Sequence, residues 1–172
     1  MSSVSALVQE AKDFIRDNWS KGIDLAEWRE KVVDAKWAAL RWPVDSYGRG
    51  LNDEEAEAVE AVFSEAGISG PGQDKFNLWA GTLVGFGTEE LKQQYVRRLL
   101  LDEVAMCLLY SEPGAGSDAN SGKTKAVHSD DGTHYKITGQ KMWISNAGFC
   151  SVFIVFARIE DDKNITGFIV EN

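Results

Sequence analysis

The hydrophobic pattern of this chain changes its period near residue 103, and this change limits the folds that the chain can adopt. Before it, apolar residues recur three or four positions apart, as Val4, Leu7 and Ala11 do, which is the spacing of a helix face. From Val104 onward the spacing falls to two, which indicates short strands. Helices gathered in one part of a chain and strands in the other predict an α+β fold or two domains.

The amino-terminal part of the sequence predicts helices. The predicted helices cover residues 3–19, 52–66, 76–86 and 88–101. A further predicted helix opens at Asp24 and is ended by the segment 37–43. Asp24, Asn52 and Thr88 stand where helix N-caps are expected, because their side chains can accept hydrogen bonds from the first free amides of a helix. The stretch 76–86 is mostly apolar, so we expect it to form a buried helix.

The carboxy-terminal part predicts strands at 104–110, 123–128, 134–138, 141–145, 151–158 and 165–171. Glycine, aspartate and asparagine separate these stretches, as is typical of turns. The domain boundary is therefore expected near residue 103, with one domain at 1–103 and a second at 104–172.

The charge of the chain excludes several classes of partner. It carries 27 acidic and 18 basic residues, a net charge of −9, which disfavours binding to nucleic acids and to anionic membranes. No apolar run reaches the roughly 18 residues that a membrane span needs. The amino terminus shows no secretion signal, and Cys107 and Cys150 lack metal-site spacing, so we expect buried reduced thiols in a cytoplasmic protein.

One loop stands out as a candidate ligand site. The apolar run 104–110 ends abruptly in the sequence Ser111-Glu112-Pro113-Gly114-Ala115-Gly116-Ser117-Asp118. The glycines can adopt conformations closed to other residues, and the proline fixes the backbone, so a tight loop with accessible amides and hydroxyls is expected. Most such turns only reverse the chain, and this pattern alone is weak evidence of binding.

A second motif strengthens the hypothesis. Residues 135–146 read Y-x-I-T-G-x-K-M-W-I-S-N, which follows E-P-G-A-G-S-D at 112–118. Together the two motifs resemble the flavin-binding signature of acyl-CoA dehydrogenases. The resemblance extends to 48–51, 87–92 and 165–171, so it covers nearly the whole chain. It implies an amino-terminal helical domain followed by part of an antiparallel, barrel-like middle β-domain, with an open strand edge after residue 171.

The resemblance also implies roles for individual residues. In the family, hydroxyls at the positions of Ser111 and Ser145 hydrogen-bond the flavin, although threonine is usual there. The indole at the position of Trp143 packs against the flavin, Tyr110 lines it through its main chain, and Ser117 lies near the ligands as a substrate or FAD contact. The implied FAD-binding residues are Leu108, Tyr110, Ser111, Gly116, Ser117, Trp143, Ile144 and Ser145.

The implied activity is α,β-dehydrogenation of an acyl-CoA thioester in fatty acid β-oxidation, with FAD as cofactor and an electron-transferring flavoprotein as electron acceptor. The resemblance further implies a homo- or hetero-oligomer. An acyl-CoA oxidase or a flavin-dependent monooxygenase is the enzymatic alternative, and a non-catalytic subunit of a heteromer is the alternative from another class.

One feature of the family has no counterpart here. Its catalytic base is a glutamate in a carboxy-terminal helical bundle, and no residue of this sequence matches it. The chain is therefore interpreted as a fragment of a full enzyme, in preference to a heteromer subunit or a degenerate homologue, and it is expected to be inactive alone.

Other polar residues are interpreted as structural. Glu112 precedes a proline in the turn and Asp118 is placed to hydrogen-bond loop amides, so neither is assigned acid–base work. His128 and His134 flank a predicted hairpin tip, where they are expected to be exposed. No metal site is predicted.

Overall fold

The computed structural model describes residues 3–160 and 162–172, and its contacts divide the chain into two compact units. The helical unit ends at Glu103 and the β unit begins at Val104. This division lies where the hydrophobic pattern of the sequence changes. The α+β class is confirmed.

Within the described residues, the helical unit contains six α-helices: α1 (Ser3–Asn18), α2 (Leu25–Asp34), α3 (Asp53–Glu65), α4 (Gln73–Phe76), α5 (Leu78–Phe86) and α6 (Glu89–Leu100). The predicted caps are confirmed. Asp24 accepts hydrogen bonds from the first-turn amides of α2, Asn52 and Glu55 form a reciprocal capping box on α3, and Thr88 accepts from an amide of α6. These side chains satisfy amides that a helix start leaves without partners.

The core of the helical unit is built around aromatic side chains. Trp37 is 1 % exposed, and its ring centroid lies 6.2 Å from that of Phe63. Phe14 packs against Trp28 and Trp37 from α1. The largest fully buried aliphatic side chains of this unit are Leu40, Leu100, Val33, Val59 and Val96. Their burial removes apolar surface from water, which is the main stabilising contribution in such a core.

Arg41 joins three segments of the helical unit. Its guanidinium lies 2.7 Å from a carboxylate oxygen of Asp53, 2.8 Å from one of Glu60 and 3.0 Å from one of Asp74. The Asp74 side chain is 2 % exposed, so its charge is compensated inside the protein. Arg41, which lies between α2 and α3 in the chain, therefore connects its own segment to helices α3 and α4.

The predicted buried helix 76–86 differs from the structure in two ways. Asn77 has a non-helical backbone and caps α5, so the stretch is divided between α4 and α5. Only Ala80 and Leu83 of α5 are buried, whereas Leu78 is 65 % exposed and Phe86 is 91 % exposed. The prediction of burial is therefore wrong, because within the helical unit one face of α5 packs and the other remains uncovered.

The β unit contains five described strands: β1 (Met106–Leu109), β2 (Lys125–His128), β3 (Tyr135–Thr138), β4 (Val152–Ile159) and β5 (Thr166–Glu171). They form one sheet that is not closed into a barrel. β2 with β3 and β4 with β5 are antiparallel, whereas β4 pairs in parallel with both β1 and β2. The sheet is thus mixed, where the resemblance implied an antiparallel one.

The predicted strand at 141–145 is absent from this sheet, so that prediction is wrong. Trp143 and Asn146 have φ angles of 59° and 69°, in the left-handed region that interrupts a strand. The alternation of residues 141–145 in the sequence does not come from a strand. The Lys141 side chain points inward because its ammonium donates hydrogen bonds to the Glu112 carboxylate and to the Phe156 carbonyl. Residues 141–149 form a loop.

Candidate functional site

The loop that follows β1 is a tight turn closed by its own main chain. The Glu112 amide donates to the Ala115 carbonyl at 2.9 Å, and the Ala115 amide donates to the Glu112 carbonyl at 3.1 Å. Gly114 and Gly116 lie in open space, since a Cβ added at either position would meet no atom within 4 Å. The turn therefore leaves room for another molecule along its outer side.

Glu112 points inward from this turn and is buried. Its carboxylate accepts hydrogen bonds from the Lys123 amide at 2.5 Å, the Thr124 amide at 3.1 Å and the Thr124 hydroxyl at 2.5 Å. A buried carboxylate needs such donors because it has lost its water. Glu112 thereby ties the turn to the start of β2.

Lys141 supplies the compensating charge. Its ammonium lies 2.9 Å from a Glu112 carboxylate oxygen, 2.7 Å from the Phe156 carbonyl oxygen and 3.2 Å from the Tyr110 carbonyl oxygen. An ammonium has three donors, and all of them are used here. The two side chains are only 10 % and 6 % exposed, so this is a buried ion pair.

The hydrogen bonds around Glu112 determine its ionisation. Burial alone raises the pKa of the Glu112 carboxyl, but hydrogen bonds from Lys141, Thr124 and the Lys123 amide outweigh burial and lower this pKa to about 2. Glu112 is therefore a carboxylate at neutral pH with its oxygens engaged, which makes it unsuited to take a proton from a substrate.

The second candidate segment lies against the first. The Met142 amide donates to the Ser111 carbonyl at 2.9 Å, which joins the end of β1 to the loop 141–149. Trp143 follows with 85 % of its surface exposed, and Ser145 is also exposed. Amides of Phe149 and Cys150 donate to the Asn146 carbonyl and close the far end of the loop.

The structure gives each predicted site residue a position. Leu108 belongs to β1, and the Tyr110 ring stacks on Phe156 with centroids 3.8 Å apart. Ser111 and Ile144 are half-buried, whereas Gly116 and Ser117 are exposed. Residues Ser111 and 142–145 are brought together by the Met142 hydrogen bond. No hydrogen bond of the described residues joins Ser117 to the segment 143–145.

A cleft of about 250 Å³ lies beside the turn. Its lining residues are Glu112, Pro113, Gly114, Ser121, Lys123, Thr124, Gly139 and Gln140. It places a lysine and main-chain groups next to the glycine-rich part of the turn.

Comparisons with known proteins identify the family. The profile of the acyl-CoA dehydrogenase middle domain matches residues 107–172. A probable acyl-CoA dehydrogenase of Bacillus subtilis is 39% identical over 137 residues, which cover 75% of this chain and 22% of that protein. The human mitochondrial very long-chain specific acyl-CoA dehydrogenase is 31% identical, over 98% of this chain and 26% of its own length. The chain belongs to the acyl-CoA dehydrogenase family.

Solved structures agree with this membership in the acyl-CoA dehydrogenase family. The crystal structure of an acyl-CoA dehydrogenase from Bacillus anthracis, complexed with FAD, has a TM-score of 0.55 and 30% sequence identity. The match covers 99% of this chain and 31% of that one. The chain thus spans less than half the length of each relative named here.

Two features of this acyl-CoA dehydrogenase chain were missed by sequence reasoning, namely the roles of Lys141 and Thr124. From the sequence, Lys141 is predicted only to start a strand, and Glu112 is predicted only to be a turn residue. The available signal was the position of the two charges inside the two motifs, since a charge enclosed by a fold needs a partner. Which carboxylate pairs with which lysine depends on how the strands of the sheet are arranged. The spacing of residues in the sequence does not give this arrangement.

Other ionisable groups of the β unit show no second site. His128 and His134 are both exposed, as expected, and the His128 ring packs against Tyr135 at 4.2 Å. Cys107 and Cys150 are buried free thiols, and burial together with the neighbouring Cys150 raises the pKa of Cys107 to about 11. Across residues 3–160 and 162–172, no cluster of potential metal ligands occurs and no helix is long and apolar enough to cross a bilayer.

Proposed function

We propose that this chain carries part of the flavin and substrate site of an FAD-dependent acyl-CoA dehydrogenase, with residues 1–103 as its helical domain and 104–172 as part of its middle domain. The observation that carries the proposal is the placement of Ser111 and Ser145. Within the described residues neither hydroxyl has a hydrogen-bond partner, and a main-chain hydrogen bond between Ser111 and Met142 joins their segments. Two unengaged hydroxyls beside an exposed indole are groups that a flat, polar ring system can use.

The residues present fit FAD chemically. Ser111 and Ser145 would hydrogen-bond the ring, and Trp143, with its indole exposed, would cover it from solvent. The main chain of Leu108, Tyr110 and Ile144 would line the ring, and Gly116 and Ser117 would approach the rest of the cofactor. The open space around Gly116 supports this assignment, because a close approach of main chain to a ligand requires it.

FAD, when bound, accepts a hydride from the β-carbon of the acyl-CoA thioester. This chain's contribution is to bind and orient both molecules, with Ser117 placed as a substrate contact. Glu112 takes no part in proton transfer, since its carboxylate is held by Lys141, Thr124 and the Lys123 amide. Glu112 is thereby excluded as the base that removes the α-proton.

The partners follow from the same proposal. Electrons leave to an electron-transferring flavoprotein, and the complete enzyme is a homo- or hetero-oligomer. The proposed location is the cytoplasm, which the free thiols Cys107 and Cys150 support because reducing compartments keep cysteines unpaired.

The test is a titration of the chain with FAD, followed by absorbance and by flavin fluorescence. Binding that is weakened in Ser111→Ala and in Ser145→Ala supports the proposal, and a chain with no affinity for FAD refutes it. Oxygen consumption with acyl-CoA, measured on an assembly that contains this chain and a catalytic base, distinguishes a dehydrogenase from an oxidase. An assembly that binds FAD without oxidising any acyl-CoA would instead indicate a non-catalytic subunit.

A further inference from the structure

The sheet of the β unit divides at Phe156, and the division lies next to the proposed flavin site. The Val152 amide donates to the Ala105 carbonyl beside β1, and the Arg158 amide donates to the Thr124 carbonyl beside β2. Main-chain groups alternate between the two edges of a strand, so these even-spaced residues use the same edge of β4. β1 and β2 therefore share one edge of β4, and Phe156 lies between them.

The Lys141 ammonium fills this division. It donates to the Phe156 carbonyl on β4, to the Tyr110 carbonyl at the end of β1 and to the Glu112 carboxylate in the turn. Glu112 in turn accepts from the Lys123 and Thr124 amides at the start of β2. One buried ion pair thus replaces the ladder hydrogen bonds that a continuous strand would have made.

The same ion pair joins the two segments that carry the proposed flavin contacts. Glu112 directly follows Ser111 and begins the turn that leads to Gly116 and Ser117. Lys141 directly precedes Met142, whose amide is bound to the Ser111 carbonyl, and it leads to Trp143 and Ser145. The Lys141 and Glu112 side chains therefore fix the distance between the two segments, and neither side chain would touch the ligand.

We infer that Lys141 and Glu112 are positioning residues of the flavin site, which set the separation of the turn 111–117 from the segment 142–145. This inference rests on the proposed function, because it assigns a purpose to that separation. A lysine is suited to the task, since its single ammonium reaches three acceptors on different segments.

The experiment compares four forms of the chain: wild type, Lys141→Met, Lys141→Met combined with Glu112→Gln, and Lys136→Met. The single Lys141 variant leaves a buried carboxylate unpaired, whereas the double variant removes both charges and should recover most of the thermal stability. Lys136 is an exposed lysine of β3 and serves as the matched control.

The first readout is amide hydrogen exchange of the chain without FAD. Removal of Lys141 should speed exchange of the Ala115 and Met142 amides by roughly tenfold or more, while the amides of β4 and β5 keep their protection. The Lys136 variant should match the wild type. Equal acceleration throughout the β unit would show only a general loss of stability and would overturn the positioning role, as would unchanged exchange at Ala115 and Met142.

The second readout is the dissociation constant for FAD. Both Lys141 variants should bind FAD at least about tenfold more weakly than the wild type, including the double variant that has recovered its stability. A double variant with wild-type affinity for FAD would overturn the inference. A wild-type chain that binds no FAD would refute the proposed function itself, and the exchange measurement would still decide whether the ion pair sets the separation of the two segments.

Discussion

A Cβ atom at Gly139 would lie 2.3 Å from the Thr124 hydroxyl oxygen and 2.8 Å from the Thr124 Cα. Thr124 is 3 % exposed, and its hydroxyl donates to Glu112 at 2.5 Å. The glycine therefore leaves the space in which the Glu112 carboxylate obtains one of its donors.

We expect Gly139→Ala to displace Thr124 and to destabilise the β unit by about 1–3 kcal/mol, the usual cost of overpacking. Urea unfolding measures the change. Gly148→Ala is the matched control, because a Cβ there meets nothing within 4 Å, and it should leave the free energy of unfolding unchanged or slightly higher. Equal unfolding free energies for the Gly139 variant and the wild type would contradict this packing argument.

The ionisation of Glu112 predicts a dependence of stability on pH. Its pKa is about 2 in the folded chain, below the value of 4.5 for a free side chain. The folded state therefore binds fewer protons, so the stabilisation is present above about pH 4.5 and is lost as the pH falls towards 2. A pKa difference of this size corresponds to a contribution of about 3 kcal/mol to the free energy of unfolding.

Urea unfolding of the wild type and of Glu112→Gln between pH 7 and pH 3 measures this effect. The stability of the wild type should fall more steeply below pH 4.5. Asp131, whose pKa is also lowered to about 2, is present in both chains and cancels in the difference. Parallel stability curves would show that Glu112 does not contribute in this way.

The ion pair between Arg41 and Asp74 predicts how strongly an unpaired buried charge destabilises the helical unit. Arg41→Met leaves Asp74, a carboxylate with 2 % exposure, without its cation, which should cost about 3–5 kcal/mol. Arg97→Met is the control, since Arg97 pairs with the exposed Glu30 and Asp34 and should contribute at most about 1 kcal/mol. Chemical denaturation followed by circular dichroism compares the two variants. Similar losses would contradict the importance of burial.

Ser111→Ala and Ser145→Ala should each weaken FAD binding while leaving the fold intact. Each removes one hydroxyl hydrogen bond, worth about 0.5–1.5 kcal/mol, which corresponds to a twofold to tenfold weaker affinity. Flavin titration gives the affinities, and the melting temperature reports on the fold. Variants with unchanged affinity, flavin spectrum and redox potential would remove both serines from the flavin site.

The isolated chain should not turn over acyl-CoA. Glu112 is engaged by Lys141, and no other residue is assigned as a base. We also expect weak FAD affinity and a colourless or faintly yellow preparation. Anaerobic mixing of the chain and excess FAD with a panel of acyl-CoAs tests this. Stoichiometric bleaching of the flavin absorbance on a catalytic timescale would show that a base lies within these residues.

Local signals in the sequence were sufficient to locate the starts of helices α2, α3 and α6. Asp24, Asn52 and Thr88 were predicted as caps and make the expected hydrogen bonds, because capping depends on residues only a few positions apart. The exposure of Phe86 could not be predicted in this way, because burial depends on which element covers a helix face and not on the residue itself.

Local signals in the sequence were not sufficient to predict the strands and their pairing correctly throughout the β unit. The side chains from Lys141 to Ser145 alternate in the sequence as those of a strand do. The Lys141 side chain nevertheless forms an ion pair with Glu112, and the backbone at Trp143 is left-handed. The parallel pairing of β4 with β1 and β2 was equally out of reach, because pairing direction follows from contacts between distant segments. The flavin-binding roles of Ser111 and Ser145 come from the resemblance to the family motif, and they stay a prediction.

The arrangement of β4 has a consequence for the order of folding. β1 and β2 both pair with β4, which follows them in the chain, with Met106 opposite Val152 and Lys125 opposite Arg158. On the ribosome, β1 therefore has no sheet partner until β4 has been synthesised, whereas each helix can close its hydrogen bonds as it emerges. The helical unit can thus form while β1 is still unpaired, and the apolar side chains of β1 are exposed to aggregation and to chaperones during that interval.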